Sequence, residues 1–418
     1  MNITIHSKRI ENWLLIFTKK ESPQRSQKFF INKLVTLLNR GGTPISHYFV
    51  LSECRGSVLL CMEMGSKQKT VFVGLSGGVD SSVAALRLKK EGYFVVGVFI
   101  KVWHPDFLPC NWESERLDAM RVAAKLDIPF LTCDGEEAYK IAVADYFIAE
   151  YLKGRTPNPD VMCNKHVKFG VFLDFARAHG ADFVATGHYA RVEHRETGSI
   201  LKRGIDTTKD QSYFLWTLNQ TQLSMTLFPI GDSEKKTIRT EAMQSGLLTA
   251  QKKDSQGICF LGHVDIPNFL SHYTKLEEGD VFDEEGKCIG THQGTLVYTV
   301  GQRQGFLINS HDASREPYYV IDCNLEENKV IVSTVKPQAS IEQSLSLIEV
   351  NYIQWTPKVG ETIEIQTRYR QKPVACSVLE IHENSLKLTY LYVNEQASSG
   401  QSCVFYKGEV CLGGGIIA

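Results

Sequence analysis

The sequence predicts an α/β chain: a doubly wound parallel sheet, then a small central domain and a C-terminal β-barrel. Three observations carry this. From residue 69 short apolar runs alternate with stretches of helical periodicity, the pattern of parallel strands joined by crossover helices. After about residue 266 that rhythm gives way to hairpin signals at Asp283-Glu284-Glu285-Gly286 and Glu326-Glu327-Asn328. From Ser340 onward only short alternating segments and turns remain, as in a small barrel.

Each predicted element has a local reason. Thr70–Leu75 is a short apolar strand. Val79–Lys90 is a helix with Val79, Val83 and Leu86 inward, and Gly92 follows as its stop. Tyr93–Val102 has the length of a buried strand. Ser114–Leu126 is a helix presenting Leu117, Met120 and Ala124, and Phe130–Cys133 is a strand. Glu136–Leu152 is a long helix with Ile141, Ile148 and Leu152 on one face. Val167–His179 is a further helix, and Asp182–Thr186 a strand ending in Gly187-His188. Barrel strands are expected at Thr362–Thr367, Val374–Ile381, Leu386–Val393 and Gln401–Tyr406. The expected divisions are an extension over 1–63, an α/β domain over 64–266, a central domain over 267–338 and a barrel over 339–418.

Composition removes several classes. Forty-six basic and forty-seven acidic residues leave a net charge of −1, which excludes a histone-like binder but permits a local basic patch. No apolar run approaches the ~18 residues that span a membrane. Eleven cysteines without a CxxC argue against a disulfide framework and a zinc ribbon. Reduced thiols in a cytoplasmic enzyme fit best. Residues 1–63 carry nine Lys/Arg against four Asp/Glu. They read as an upstream start or an unordered extension, with an organellar transit peptide as the second reading.

Chemistry concentrates in three stretches. Gly74-Leu75-Ser76-Gly77-Gly78-Val79-Asp80-Ser81-Ser82 lies between a strand and a helix. Its glycines let a ligand approach the backbone, and the helix N-terminus points amides at an anion. Neither GxxxxGK[ST] nor GxGxxG is present, so it is no Walker loop and a weak dinucleotide site. Asp80 is placed either to meet a metal accompanying a nucleotide or simply to favour the helix dipole. The second stretch, Gly154 to Lys165, holds Asn158-Pro159-Asp160 and Cys163, in a loop stiffened by two prolines. The third is Asp254-Ser255-Gln256-Gly257-Ile258-Cys259-Phe260. Each cysteine is either buried packing or a reactive thiol beside a polar turn.

The first stretch resembles the pyrophosphate loop of the N-type ATP pyrophosphatases, the PP-loop enzymes with a Rossmann-like sheet. All three together resemble the tRNA-specific 2-thiouridylases. The resemblance runs from about Met64 to Ala418, about 85% of the chain. It includes TPNPDVMCN, Ala185 to Arg191, Lys209 to Phe214, DSQGICF, Thr299 to Arg303 and Leu412 to Gly415. It implies ATP-dependent 2-thiolation of the wobble uridine of tRNA. Gly74, Leu75, Ser76, Gly77, Gly78, Val79, Asp80 and Ser81 would then hold ATP with its magnesium, completed by Ile100 and Gly187. Ile100 stands where the family usually has methionine.

The same resemblance makes Cys163 the nucleophile or acid/base partner, with Asp160 beside it, and Cys259 the carrier of a persulfide. It sets Asn158, Pro159 and Asp160 against the target base. His188, Lys209, Asp210, Gln211, Arg368, Tyr369 and Gln401 become tRNA contacts. A cysteine desulfurase or sulfur-relay protein would supply sulfur. Arg368-Tyr369-Arg370-Gln371-Lys372 interleaves charge with an aromatic, which suits phosphate contact and stacking. It suits equally an exposed strand edge guarded by charge. Lys202, Arg203, Lys209, Lys252, Lys253 and Arg303 could extend a basic patch. Two alternatives stand: a PP-loop thiolase using an iron–sulfur cluster on Asp160, Cys163 and Cys259, and an ATP-bound RNA-binding protein without sulfur chemistry.

Overall fold

The computed structural model describes residues 68–108, 112–254, 257, 259, 262, 264–309, 316–341 and 343–418, together with four earlier strands. Those strands form two antiparallel pairs, Val35–Leu38 with Pro44–His47 and Val50–Cys54 with Ser57–Cys61. They belong to a unit separate from the compact unit Lys69–Ala418. The expectation of an unordered extension falls mostly on residues outside the described ones. Among the described residues no helix is long and apolar enough to cross a membrane.

Within the large unit, β1 (Thr70–Gly74), β2 (Phe94–Lys101), β3 (Phe130–Asp134), β4 (Phe183–Ala185) and, later in the chain, Thr226–Leu227 make one parallel sheet. The order is Thr226–Leu227, β4, β1, β2, β3. Alternation along β1 sends Val71 and Val73 to one face and Phe72 to the other. The first face is covered by α1 (Val79–Lys90), α2 (Trp112–Leu126) and the helix Lys235–Gln244, through Val83, Leu88, Ala119, Ala123 and Ile238. The second face is covered by two long helices over 136–152 and 159–178, through Tyr139, Val143, Val167 and Phe172.

Two helical faces differ from expectation. Leu117 and Met120 of α2 are exposed, and the buried stripe is Ala119, Val122, Ala123 and Leu126. The reason is close approach: a Cβ on Gly77 would lie 2.8 Å from Asp118 Cβ and Glu115 O. The loop packs directly on α2, so small side chains must face inward. In the helix over 136–152, Ile141 and Leu152 are exposed while Phe147, Ile148 and Tyr151 are buried. Lys140–Asp145 is π-helical, and the extra residue per turn rotates the later side chains off a 3.6-residue register.

The hairpin β5 (Ala190–Arg195) and β6 (Gly198–Arg203) leaves the parallel sheet and joins the barrel. Next in the chain is a central five-stranded sheet, β7 (Gly279–Phe282), β8 (Cys288–His292), β9 (Phe306–Ile308), β10 (Tyr319–Asn324) and β11 (Lys329–Ser333), in the order β9, β8, β7, β11, β10. Its turns fall at the two hairpin signals. The barrel has six strands: β12 (Ser344–Tyr352), β13 (Thr362–Gln366), β14 (Val374–Ile381), β15 (Ser385–Tyr390), β16 (Ser402–Lys407) and β17 (Val410–Ile417). It closes where β17 pairs with β12, Leu347 opposite Ile417. The terminal glycines serve that closure: a Cβ on Gly413 would lie 2.0 Å from Asn351 O, and one on Gly414 2.8 Å from the Trp216 ring.

Candidate active site

Strand order runs from β1 toward β2 and β3 on one side and toward β4 on the other. The carboxyl ends of β1 and β4 therefore flank the switch point, where doubly wound sheets bind ligands. The Gly74–Ser81 loop leaves β1 there, and Gly187-His188 follows β4. Gly77 takes φ +68°, a backbone that glycine adopts without strain. The Ser76 amide donates to Ser81 Oγ at 3.3 Å, and Ser81 and Ser82 hydroxyls donate to Gly78 O at 3.2 and 2.7 Å. A Cβ on Gly187 would lie 2.6 Å from Ser81 N, so only glycine lets the two loops meet. Leu75, Val79 and Ile100 are buried; Leu75 and Val79 anchor the loop in the core, and Ile100 lines the wall beside Gly74.

Asp80 is committed to protein partners. Tyr189 Oη donates to its Oδ1 at 2.8 Å, and Lys235 Nζ reaches both carboxylate oxygens at 2.8 and 2.7 Å. Lys235 also meets Asp254 at 2.8 Å, which Lys209 and Arg239 contact at 2.8 and 2.6 Å. Burial works against the Asp254 charge, but Lys209 and Lys235 hold its pKa down to about 2.

The two cysteines, 96 residues apart in sequence, come together: the Cys163 thiol donates to Cys259 Sγ at 3.5 Å. Both are free. Asn158 caps the helix that carries Cys163, accepting from Val161 N at 3.3 Å, with Pro159 in its first turn. Asp160 Oδ1 accepts the Cys259 amide at 2.8 Å, and Tyr139 Oη donates to Cys259 O at 2.8 Å. From Cys163 to Val171 the helix is π-helical. That places Lys168, five residues on, at the same pair of thiols, hydrogen-bonded to Cys259.

The electrostatics separate the two sulfurs. Burial, then the neighbouring Cys259, pushes the Cys163 thiol well above its usual range. The hydrogen bond from Cys163, then the Lys168 ammonium, lowers Cys259. Burial penalises the charge on Lys168, yet Cys259, Cys163 and Asp160 raise its pKa overall. Burial raises Asp160, opposed by the Cys259 amide. The arrangement favours the charged form of Cys259 over that of Cys163, with the Lys168 ammonium beside the pair.

The central domain and the barrel both brace the Cys163 loop. Gln401 Nε2 donates to Thr156 O at 2.9 Å, Thr156 N to Ser399 O at 2.9 Å, and the Thr156 and Thr299 hydroxyls meet at 2.8 Å.

Several expected RNA contacts also have partners within the chain. His188 is buried, bonded to Thr186 Oγ1 at 2.7 Å, and held neutral by burial and then by Lys168. Asp210 accepts from Gly204 N and Ser212 N and pairs with Arg203, and Gln211 accepts from Tyr189 N. Arg368 donates to Val300 O at 2.7 Å, pinning the central domain to the barrel. Tyr369 packs against Phe214 with ring centroids 4.6 Å apart. Lys202, Lys209 and Lys252 are paired with Glu193, Asp254 and Asp118. Lys253, Arg303, Arg370 and Lys372 are exposed. Among the described residues no group of three or more His, Cys, Asp or Glu is placed to hold a metal.

Sequence reasoning gave no role to Lys168, Lys235, Asp254 or Tyr189, although Asp254 and Tyr189 stand within quoted motifs. Lys168 carries a weak signal, since a spacing of five from Cys163 faces the same way only in a π-helix. Lys235 lies 155 residues from Asp80 and has no local signature.

A nucleotide loop at the switch point, a facing pair of thiols and two appended β modules define an ATP-using PP-loop chain equipped for sulfur chemistry. Residues 69–263 match the model of the tRNA methyl transferase HUP domain, 267–334 that of the tRNA methyl transferase PRC-barrel domain, and 342–417 that of the aminomethyltransferase β-barrel domain. The tRNA-specific 2-thiouridylase MnmA of Colwellia psychrerythraea is 44% identical over 362 residues, covering 84% of this chain and 96% of that one. Its counterpart in Vibrio cholerae is 42% identical, covering 84% and 97%. Among solved structures, a 4-thiouridine synthetase–RNA complex with ATP aligns at TM-score 0.31 and 19% identity, over 54% of this chain and 57% of that one. The chain belongs to the tRNA-specific 2-thiouridylase family.

Proposed function

We propose that this protein replaces the carbon-2 oxygen of the wobble uridine in tRNA with sulfur, using ATP and a persulfide on Cys259. The observation that carries the reading is the thiol pair, 3.5 Å apart, in the same compact unit as the nucleotide loop. The uridine oxygen is a poor leaving group. Its attack on the α-phosphate of ATP expels pyrophosphate and converts it to an AMP ester. The terminal sulfur of the Cys259 persulfide then attacks carbon 2, and AMP leaves with the oxygen. Cys163, once deprotonated, attacks Cys259 Sγ, which frees the carbon–sulfur bond as the thiocarbonyl and leaves a Cys163–Cys259 disulfide. Two thiol equivalents from an external reductant restore the pair. A disulfide needs the sulfurs ~2.05 Å apart, so the closure is about 1.5 Å.

Magnesium arriving with ATP fits one protein carboxylate, Asp80, the remaining ligands coming from phosphate and water. The ion supplies charge neutralisation of the phosphates. Asp160 holds the Cys259 backbone in line with Cys163. Exposed Arg370 and Lys372, with Lys253 and Arg303, offer phosphate contacts to tRNA. A cysteine desulfurase or a relay protein supplies the persulfide sulfur, and a cytoplasmic setting with reduced thiols suits the cycle. The test is mass spectrometry of tRNA nucleosides from cells lacking the gene. 2-Thiouridine should vanish, return with the wild-type gene, and stay absent with Cys259→Ser. Return with Cys259→Ser would reject the scheme.

A further inference from the structure

The nucleotide loop contains no lysine, yet the fold delivers cations to its mouth. Lys235, largely buried with 12% of its side chain exposed, bridges Asp80 in the first turn of α1 and Asp254. Asp254 is held from three sides: Lys235 and Arg239 on Oδ1 at 2.8 and 2.6 Å, Lys209 on Oδ2 at 2.8 Å. Arg239 is itself fixed by donating to Ala250 O and Lys252 O at 2.9 and 3.0 Å. Tyr189 lies beneath Lys235, ring centroid 5.7 Å from Nζ. The other carboxylate here, Asp206, is turned to the backbone, accepting from Lys235 N and Thr208 N at 3.0 Å.

A half-buried carboxylate needs one good partner to hold its charge, and three cations exceed what local order requires. Three charge-assisted donors converging on two oxygens is how proteins hold a phosphate. The cup also adjoins the one loop whose amides and hydroxyls are laid out for phosphates.

We propose that Lys235, with Lys209 and Arg239, binds the pyrophosphate half of ATP, and that the Asp254 carboxylate is the internal anion that competes for this cup. The proposal rests on the Gly74–Ser81 loop being the ATP site. Lys235 sits between two anions. When phosphates take its charge, Asp80 is released toward the accompanying metal and Asp254 gives up its place. Asp254 therefore weakens nucleotide binding rather than supporting it. A structural aspartate would show the opposite sign.

Calorimetric titration of the full chain at fixed salt, with ATP, inorganic pyrophosphate and AMP in turn, tests this. Lys235→Met should weaken ATP and pyrophosphate roughly ten- to hundredfold, the worth of one charge-assisted hydrogen bond, and leave AMP unchanged. Asp254→Asn should tighten ATP and pyrophosphate about threefold or more, since an internal negative charge is removed. Lys235→Arg keeps the charge and guards against a folding defect: it retains pyrophosphate binding if the cup is real and loses it if Lys235 only starts its helix. Weaker or unchanged ATP binding by Asp254→Asn overturns the proposal, as does loss of AMP together with ATP in Lys235→Met. A wild-type chain that binds none of the three overturns the ATP reading of the loop, and the cup with it.

Discussion

Two neighbours that lie far from Cys259 in sequence act on its thiol. Cys163 donates a hydrogen bond to it and Lys168 places a cation beside it; both favour the thiolate. Removing either raises the Cys259 pKa, so the thiolate fraction at a given pH falls and recovers only as pH rises. Lys168→Met should slow alkylation of Cys259 by iodoacetamide at pH 7.5 and move its pH midpoint upward, followed residue by residue with mass spectrometry. An unchanged midpoint would remove Lys168 from the site. Cys163→Ser should behave differently. It should still exchange pyrophosphate into ATP and bind tRNA but form no 2-thiouridine, because the nucleotide loop is built from other residues. The two cysteines are conspicuous in the sequence because each stands in a long motif. The partners that set their charge states are not, since spacing along the chain says nothing about Lys168 unless the π-helical turn is known.

At the level of elements, the α/β rhythm was readable because each strand and helix carries its own periodicity and stop signals; Val79–Lys90 and Val374–Ile381 have the predicted bounds. Inward faces were less readable. Two were displaced, one by close packing of α2 on Gly77 and one by a π-helical insertion, and neither cause leaves a hydrophobic pattern. The 368–372 segment reads as basic, but its residues do different work. Arg368 ties Val300 O to the barrel, whereas Arg370 and Lys372 face solvent. Arg368→Ala should therefore cost about 1–3 kcal/mol of stability, seen as a melting point lower by several degrees. The salt slope of tRNA binding should stay the same. The double variant Arg370→Ala/Lys372→Ala should instead leave the melting point alone and flatten the slope by roughly 0.7–0.9 for each phosphate no longer neutralised. Filter binding across a salt series separates the two outcomes.

For the whole molecule, Lys69–Ala418 forms one compact unit, and the three family models match inside it, from residue 69 to 417. A chain started at Met64 should be expressed in soluble form and retain thiolation; soluble but inactive protein would show that the earlier residues take part. The hairpin over 190–203 was missed by sequence reasoning because it departs from the α/β rhythm only to complete another domain. In it Leu201 and Lys202 pair with Cys411 and Val410 of the last barrel strand. That strand is bonded to the first and fifth strands of the barrel as well. Val410 and Cys411 of β17 thus join that hairpin to the barrel in one eight-stranded sheet. Neither the hairpin nor the barrel can melt without opening an edge in the other, so the energy of the junction is shared and the transition becomes cooperative. In scanning calorimetry the chain from Met64 should give one endotherm, with calorimetric and van't Hoff enthalpies in agreement, rather than the staggered peaks of domains strung on a linker. Amides of Leu201 and Cys411 should exchange with solvent only through that same global opening.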